Sequence, residues 1–109
     1  MESIDTQRAV TALAALAHDH RLAVFRLLVQ AGPDGLAAGE IADRLALPAS
    51  SLSFHLAHLR TAEVVLDERQ GRSIRYRANY AATRWLTDYL MENCCADADA
   101  AALAEGACR

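Results

Sequence analysis

The sequence predicts a mainly α-helical protein of one domain that carries one small β-hairpin. Apolar residues recur at helical spacing along most of the chain, whereas two short strand-like runs follow residue 63, and apolar and charged residues alternate in the second. The chain has 109 residues, of which 53% are hydrophobic. This length and composition are sufficient to bury one modest core.

The first two helices are bounded by polar caps and a cluster of helix breakers. Residues 5–18 form a helix, for which Asp5 is the expected N-cap. A second helix follows, with Asp19 as its expected N-cap. It ends before residues 32–35, whose sequence GPDG is a strong breaker.

A third, short helix follows Gly39 and ends before Pro48, where a fourth helix opens. Apolar residues of the fourth helix recur at positions i, i+4 and i+7, so they are expected to face the core. These are Leu52, Leu56 and Leu59. The polar residues elsewhere on this helix are Ser50, Ser51, Ser53, His55 and His58.

Two strand-like runs and a last helix complete the prediction. The runs are residues 64–69 and 72–77, and Gln70-Gly71 is the expected turn between them. The last helix begins near Tyr80. Two neighbouring helices followed by a hairpin and a helix are the order of a winged helix-turn-helix.

The charge distribution favours a nucleic-acid partner. The formal net charge is −3, but residues 49–84 hold six arginines against three acids. Small polar residues on the fourth helix would let it enter a major groove, and Arg69 and Arg72 flank the hairpin tip. Other interpretations stay open: the serines as helix caps, the arginines as guards of an exposed strand edge, and His55 as a cap or a half-buried side chain.

Several classes of protein are disfavoured. The longest apolar runs are too short to cross a bilayer, and the N-terminus does not resemble a signal peptide. We therefore expect a cytoplasmic protein with no membrane partner, whose three cysteines are reduced. No glycine-rich phosphate loop and no nucleophile with a recognisable base are present, so an enzyme is not expected.

Three stretches, HDHRLAVFRLL, LAAGEIADRLALPASSLSFHLAHLRTAEVV and ERQGRSIRYRANY, resemble the ArsR/SmtB family of metalloregulatory repressors. The resemblance implies a homodimer, formed by the first and last helices, on palindromic operator DNA. We expect residues 1–95 to form the DNA-binding and dimerisation domain, and the alanine-rich residues 96–109 to form a flexible tail that carries Cys108. Apolar residues surplus to one core form the expected dimer interface: Val10, Leu13, Leu16, Trp85, Leu86, Tyr89 and Leu90.

Most ligand sets of the family are missing. The stretch GEIADRLAL has no cysteine, and the last helix offers Asp88 and Glu92 without a histidine. His18 and His20 mark a helix start, and no zinc site is evident. What remains is Cys94, Cys95 and Cys108, which resemble the thiols of an arsenite-responsive subgroup. Trivalent arsenic is thiophilic and three-coordinate, so three thiols are the right number.

The resemblance therefore implies a repressor that releases its operator on binding arsenite, with antimonite as a second candidate effector. A two-thiol site without Cys108 would suit methylated arsenite. Alternatively, the thiols are an oxidation sensor on the same fold, or small apolar residues at the dimer interface. A winged-helix module that contacts proteins instead of DNA is disfavoured by the arginine-rich hairpin.

Overall fold

The computed structural model describes residues 3–96, which form five helices and a three-stranded antiparallel sheet. The helices are α1 (Ile4–Leu16), α2 (Asp19–Ala31), α3 (Ala38–Leu45), α4 (Ala49–Thr61) and α5 (Tyr80–Met91). The strands are β1 (Leu36–Ala37), β2 (Val65–Gln70) and β3 (Ser73–Ala78), in the order β1-β3-β2. The predicted mainly α fold with a winged hairpin is confirmed.

Two helix starts differ from the sequence prediction. Ser3, not Asp5, caps α1, because its Oγ accepts a hydrogen bond of 3.1 Å from the backbone N–H three residues on. His18, not Asp19, caps α2 in the same way through Nδ1. Both aspartates instead lie in the first helical turn, where a negative charge favours the helix dipole.

The core lies where α2, α3 and α4 pack on the sheet. The three leucines predicted to face inward on α4 are all buried: Leu52, Leu56 and Leu59. They meet Leu28 of α2 and Ile41 of α3, neither of which is exposed at all. Burying each of these side chains contributes about 1.5–3 kcal/mol. The inward leucines therefore fix which face of α4 remains for a partner.

The hairpin turn lies one residue later than predicted. Gln70 pairs with Ser73 in the β2–β3 register, so Gly71 and Arg72 are the two turn residues. Gly71 has a φ of 64°, and a glycine at the first central position is what a type II′ turn requires. Arg72 therefore lies in the turn itself.

Strand β1 is a feature that the sequence prediction missed. It pairs with β3 through Leu36 and Tyr76, directly after Gly35. Gly35 has a φ of 69°, and a Cβ there would overlap the backbone carbonyl of Tyr76, so only glycine fits. Arg75 also anchors this segment, because its guanidinium donates to the carbonyl oxygens of Asp34 and Gly35 at 3.0 and 2.8 Å.

Membrane spans are absent from residues 3–96. No helix among them has the length and apolar character that crossing a bilayer requires.

Candidate nucleic-acid interface and thiol site

The outer face of α4 is the first part of the candidate interface. Ser50, Ser53 and His58 are exposed, as predicted for DNA contacts, and Ser51 is half-buried. Phe54 lies beside them with 60% of its surface exposed, and it was not among the predicted contacts. A large apolar side chain exposed among short polar ones is the signal that could have identified it.

His55 does not lie on this exposed face. Only 6% of its surface is accessible, which removes it from the predicted DNA contacts. It lies three residues after Leu52 and four before Leu59, so helical spacing places it on the core side of α4. Burial lowers its pKa from the ordinary value of 6.5, and the positive charges of His18 and Arg21 lower it further.

The hairpin supplies the basic part of the interface. Arg69 and Arg72 are both exposed at its tip. A third arginine, Arg60 at the end of α4, lies 3.6 Å from Asp67 of β2. This exposed ion pair joins the end of α4 to the hairpin, and such pairs contribute at most about 1 kcal/mol. The serines of α4 and the arginines of the hairpin therefore belong to two structural elements that are in contact.

Helices α1 and α5 pack together through aromatic and polar contacts. The hydroxyls of Thr6 and Tyr89 are 2.7 Å apart. The Arg8 guanidinium lies 4.1 Å from the ring centre of Trp85, which in turn stacks on Tyr89 at 5.3 Å. These contacts hold the last helix against the first one.

The predicted dimer residues divide into three groups by exposure. Val10, Leu13 and Leu90 are exposed by 53, 42 and 55%. Leu16, Trp85 and Tyr89 are half-buried. Leu86 is only 6% exposed, so it packs in the chain's own core and is not available to a partner. The other six leave apolar surface on α1 and α5 uncovered.

The thiol site follows the end of α5. The Sγ atoms of Cys94 and Cys95 are 3.4 Å apart. Cys94 is exposed and free, whereas Cys95 is half-buried and disulfide-bonded. The backbone here is tightly turned, because Asn93 and Cys95 have positive φ angles of 59° and 63°. Cys108, the predicted third ligand, lies outside the described residues.

A separate groove runs between α1 and α4. Its volume is about 500 Å³, and Val10, Ala14, Phe54, Ala57 and His58 are among the residues that line it. Most of these side chains are apolar, so the groove extends the exposed apolar surface of α1 to the edge of α4.

Comparison with known proteins supports this architecture. Residues 16–68 match a family of helix-turn-helix domains. An ArsR-like transcriptional regulator from Rhodococcus sp. RHA1 is 25% identical and superposes with a TM-score of 0.74, over 92% of this chain and 91% of that one. The transcriptional activator HlyU of Vibrio cholerae serotype O1 is 29% identical over 86 residues, which are 79% of this chain and 77% of HlyU.

Solved structures extend the comparison. HlyU from Vibrio cholerae N16961 has a TM-score of 0.65 at 27% identity, covering 86% of this chain and 99% of that one. A homodimeric winged helix-turn-helix DNA-binding domain from Mycobacterium bovis shares the fold, with a TM-score of 0.64 at 22% identity over 84% and 89% of the two chains. The protein thus has a winged helix-turn-helix fold, and its relatives support a DNA-binding transcriptional regulator of the ArsR and HlyU type.

Proposed function

We propose that the protein is a homodimeric repressor that binds operator DNA through α4 and the hairpin, and releases it on binding arsenite. The DNA-binding part rests mainly on one observation: short polar side chains are exposed on α4, and two arginines are exposed at the tip of the hairpin that contacts α4. The effector part rests on the 3.4 Å separation of the Cys94 and Cys95 sulfurs.

In this proposal α4 lies in the major groove. Ser50 and Ser53 are short enough for the helix backbone to come close to the base edges, and His58 extends the contact. Arg69 and Arg72 would bind phosphates or the adjacent minor groove. The base contacts supply specificity, whereas the arginines supply most of the affinity.

A homodimer would cover the apolar side chains left exposed on α1 and α5. Val10, Leu13 and Leu90 are the largest contributors among the predicted residues. A two-fold dimer would present two α4 helices to the two halves of a palindromic operator. The Mycobacterium bovis relative is a homodimer of this fold, which supports the same assembly.

The chemistry of the thiol pair suits a soft, thiophilic centre. When two sulfurs bind the same ion, each at about 2.3 Å, the distance between the sulfurs is no more than about 4.6 Å. The Cys94–Cys95 separation of 3.4 Å meets this limit. Arsenous acid would condense with each thiol: an As–S bond replaces an As–O bond, and the thiol proton leaves with the hydroxyl as water. In a three-thiol site, Cys108 would supply the third As–S bond. The disulfide bond of Cys95 must be reduced before either a two-thiol or a three-thiol site can bind arsenic.

Release of DNA would follow from the position of the thiols. They lie at the end of α5, and α5 packs on α1 through the Thr6–Tyr89 and Arg8–Trp85 contacts. Arsenite bound there would change the junction between the two protomers and hence the relation between the two α4 helices. By linkage, operator DNA must weaken arsenite binding by the same factor.

A gel-shift titration tests this proposal, with an operator selected from random DNA by the reduced protein. We expect release at micromolar arsenite, and retention of DNA at all arsenite concentrations by the Cys94→Ser/Cys95→Ser variant. The variant's unchanged affinity for DNA without arsenite is the control. Release that persists in this variant would contradict the thiol mechanism. Cys108→Ser separates a three-thiol from a two-thiol site.

A second candidate effector is an oxidant. The disulfide bond of Cys95 favours this version, and one solved structure of Vibrio cholerae HlyU is of the reduced protein. Oxidation would remove two electrons and two protons from a pair of thiols, with peroxide as the oxidant. Peroxide would then release DNA, dithiothreitol would restore binding, and arsenite would have no effect on the reduced protein.

A further inference from the structure

Three histidines from two distant parts of the sequence converge between α4 and the start of α2. His18 and His20 lie at the α2 N-terminus, and His55 lies in the middle of α4. One ring nitrogen from each lies within 4.8 Å of the other two. The ring centres of His18 and His55 are 4.8 Å apart, and His20 is 5.5 and 5.6 Å from them.

We propose that His18, His20 and His55 bind one borderline divalent cation, such as zinc. Imidazole nitrogens are preferred ligands of zinc, copper and nickel. Three of them leave a fourth position for water, as in open zinc sites. This site is distinct from the cysteines and needs no thiol.

His55 provides an observation that is independent of the clustering. Only 6% of the surface of this residue is accessible, yet its Nδ1 has no hydrogen-bond partner among residues 3–96. An unsatisfied polar atom in the interior costs about 1–3 kcal/mol, so such atoms normally have a partner. A metal ion bound at Nδ1 would give this atom the partner that it lacks.

The ring nitrogens of the three histidines lie slightly farther apart than the ligands of one metal ion do. Zinc binds imidazole nitrogen at about 2.0–2.1 Å, which places tetrahedral ligands about 3.3 Å apart. The nitrogens must therefore approach one another by up to about 1.5 Å. His18 and His20 are exposed, so rotation of their side chains meets little packing resistance.

Metal binding would compete with the cap of α2. His18 Nδ1 accepts the His20 backbone N–H at 3.1 Å. Coordination through Nδ1 would occupy that lone pair, and coordination through Nε2 would place the proton on Nδ1. Either mode gives up the cap, which is worth about 1 kcal/mol.

Besides the neighbouring histidines, the cationic side chain of Arg21 acts on His55. Its Nε donates to the Ala15 carbonyl oxygen at 2.6 Å. Its charge opposes a cation, but water around the exposed His18 and His20 screens this repulsion. A bound ion would join the middle of α4 to the junction of α1 and α2.

Titration of the full chain with Zn²⁺ alone tests the site, in the Cys94→Ser/Cys95→Ser/Cys108→Ser background so that thiols cannot contribute. We expect one equivalent per chain by calorimetry, and a Co²⁺ spectrum without a sulfur charge-transfer band. His20→Ala and His18→Asn should each weaken Zn²⁺ binding at least about tenfold. His18→Asn retains an N-cap residue, so its loss of affinity reports the ligand and not the helix start.

His58→Ala is the matched control, because His58 is an exposed histidine of α4 outside the cluster. Its Zn²⁺ affinity should equal that of the parent. The proposal is overturned if the parent binds no Zn²⁺, if His20→Ala binds as tightly as the parent, or if His58→Ala loses affinity equally. None of these measurements involves DNA or arsenite, so the result is independent of the proposed repressor function.

Discussion

Replacement of the two arginines at the hairpin tip is the sharpest test of the DNA-binding surface. Arg69 and Arg72 are exposed, and no hydrogen bond or ion pair is seen for their side chains within residues 3–96. The Arg69→Ala/Arg72→Ala variant should therefore fold normally, with an unfolding free energy within about 0.5 kcal/mol of the parent. Its defect should be in DNA binding alone.

The size of that defect follows from counterion release. Each phosphate contact contributes about 0.9 to the slope of log affinity against log salt concentration. A dimer presents two hairpins, so the variant loses four arginines and the slope should become shallower by about 3.6. Over a fourfold rise in salt, the parent would then lose about 150-fold more affinity than the variant does.

Fluorescence anisotropy with a labelled operator, repeated at several salt concentrations, measures this slope. Arg26→Ala is the matched control, because Arg26 is an exposed arginine that belongs to α2 and not to α4 or the hairpin. Its slope should equal that of the parent. An unchanged slope in the double variant, or an equal decrease in Arg26→Ala, would refute the assignment of the hairpin to phosphate contacts.

Three further predictions concern stability and assembly. Gly35→Ala should lower the unfolding free energy in urea by more than about 2 kcal/mol, because the new Cβ meets a β3 carbonyl, whereas Gly71→Ala meets no neighbour and should cost about 1 kcal/mol. Leu86→Ala should cost about 2–5 kcal/mol, while Leu90→Ala should mainly raise the dimer dissociation constant in sedimentation experiments. In metal-free buffer, stability should fall as the pH drops below about 6.5, since the unfolded chain protonates His55 first, and His55→Leu should show a smaller fall.

The elements with a repeating apolar pattern could be predicted from the sequence. Leu52, Leu56 and Leu59 define the inner face of α4 by spacing alone, and the structure buries all three. The hairpin was also recognisable, because glycine marks its turn, although the register shifted by one residue. These features depend on residues that are close together in the sequence, so the sequence alone is sufficient to predict them.

Features that depend on distant contacts could not be predicted in the same way. Strand β1 has two residues, too few for an alternating pattern, and it exists because β3 pairs with it. The position of His55 follows from helical spacing, but its approach to His18 and His20 depends on how α4 packs against α2. The relation of Cys108 to the other cysteines stays a prediction.

The contacts of Arg75 connect the hairpin to α3. Its guanidinium joins β3 to the segment before α3, and it also lies 3.7 Å from Glu40 of α3. The hairpin and the start of α3 are therefore bonded to each other, so we expect them to move together. In the proposed dimer, an effector would then change the distance between the DNA-binding part of one protomer and that of its partner. Sensitivity to the effector should accordingly depend on the number of base pairs between operator half-sites more than on the bases within each half-site.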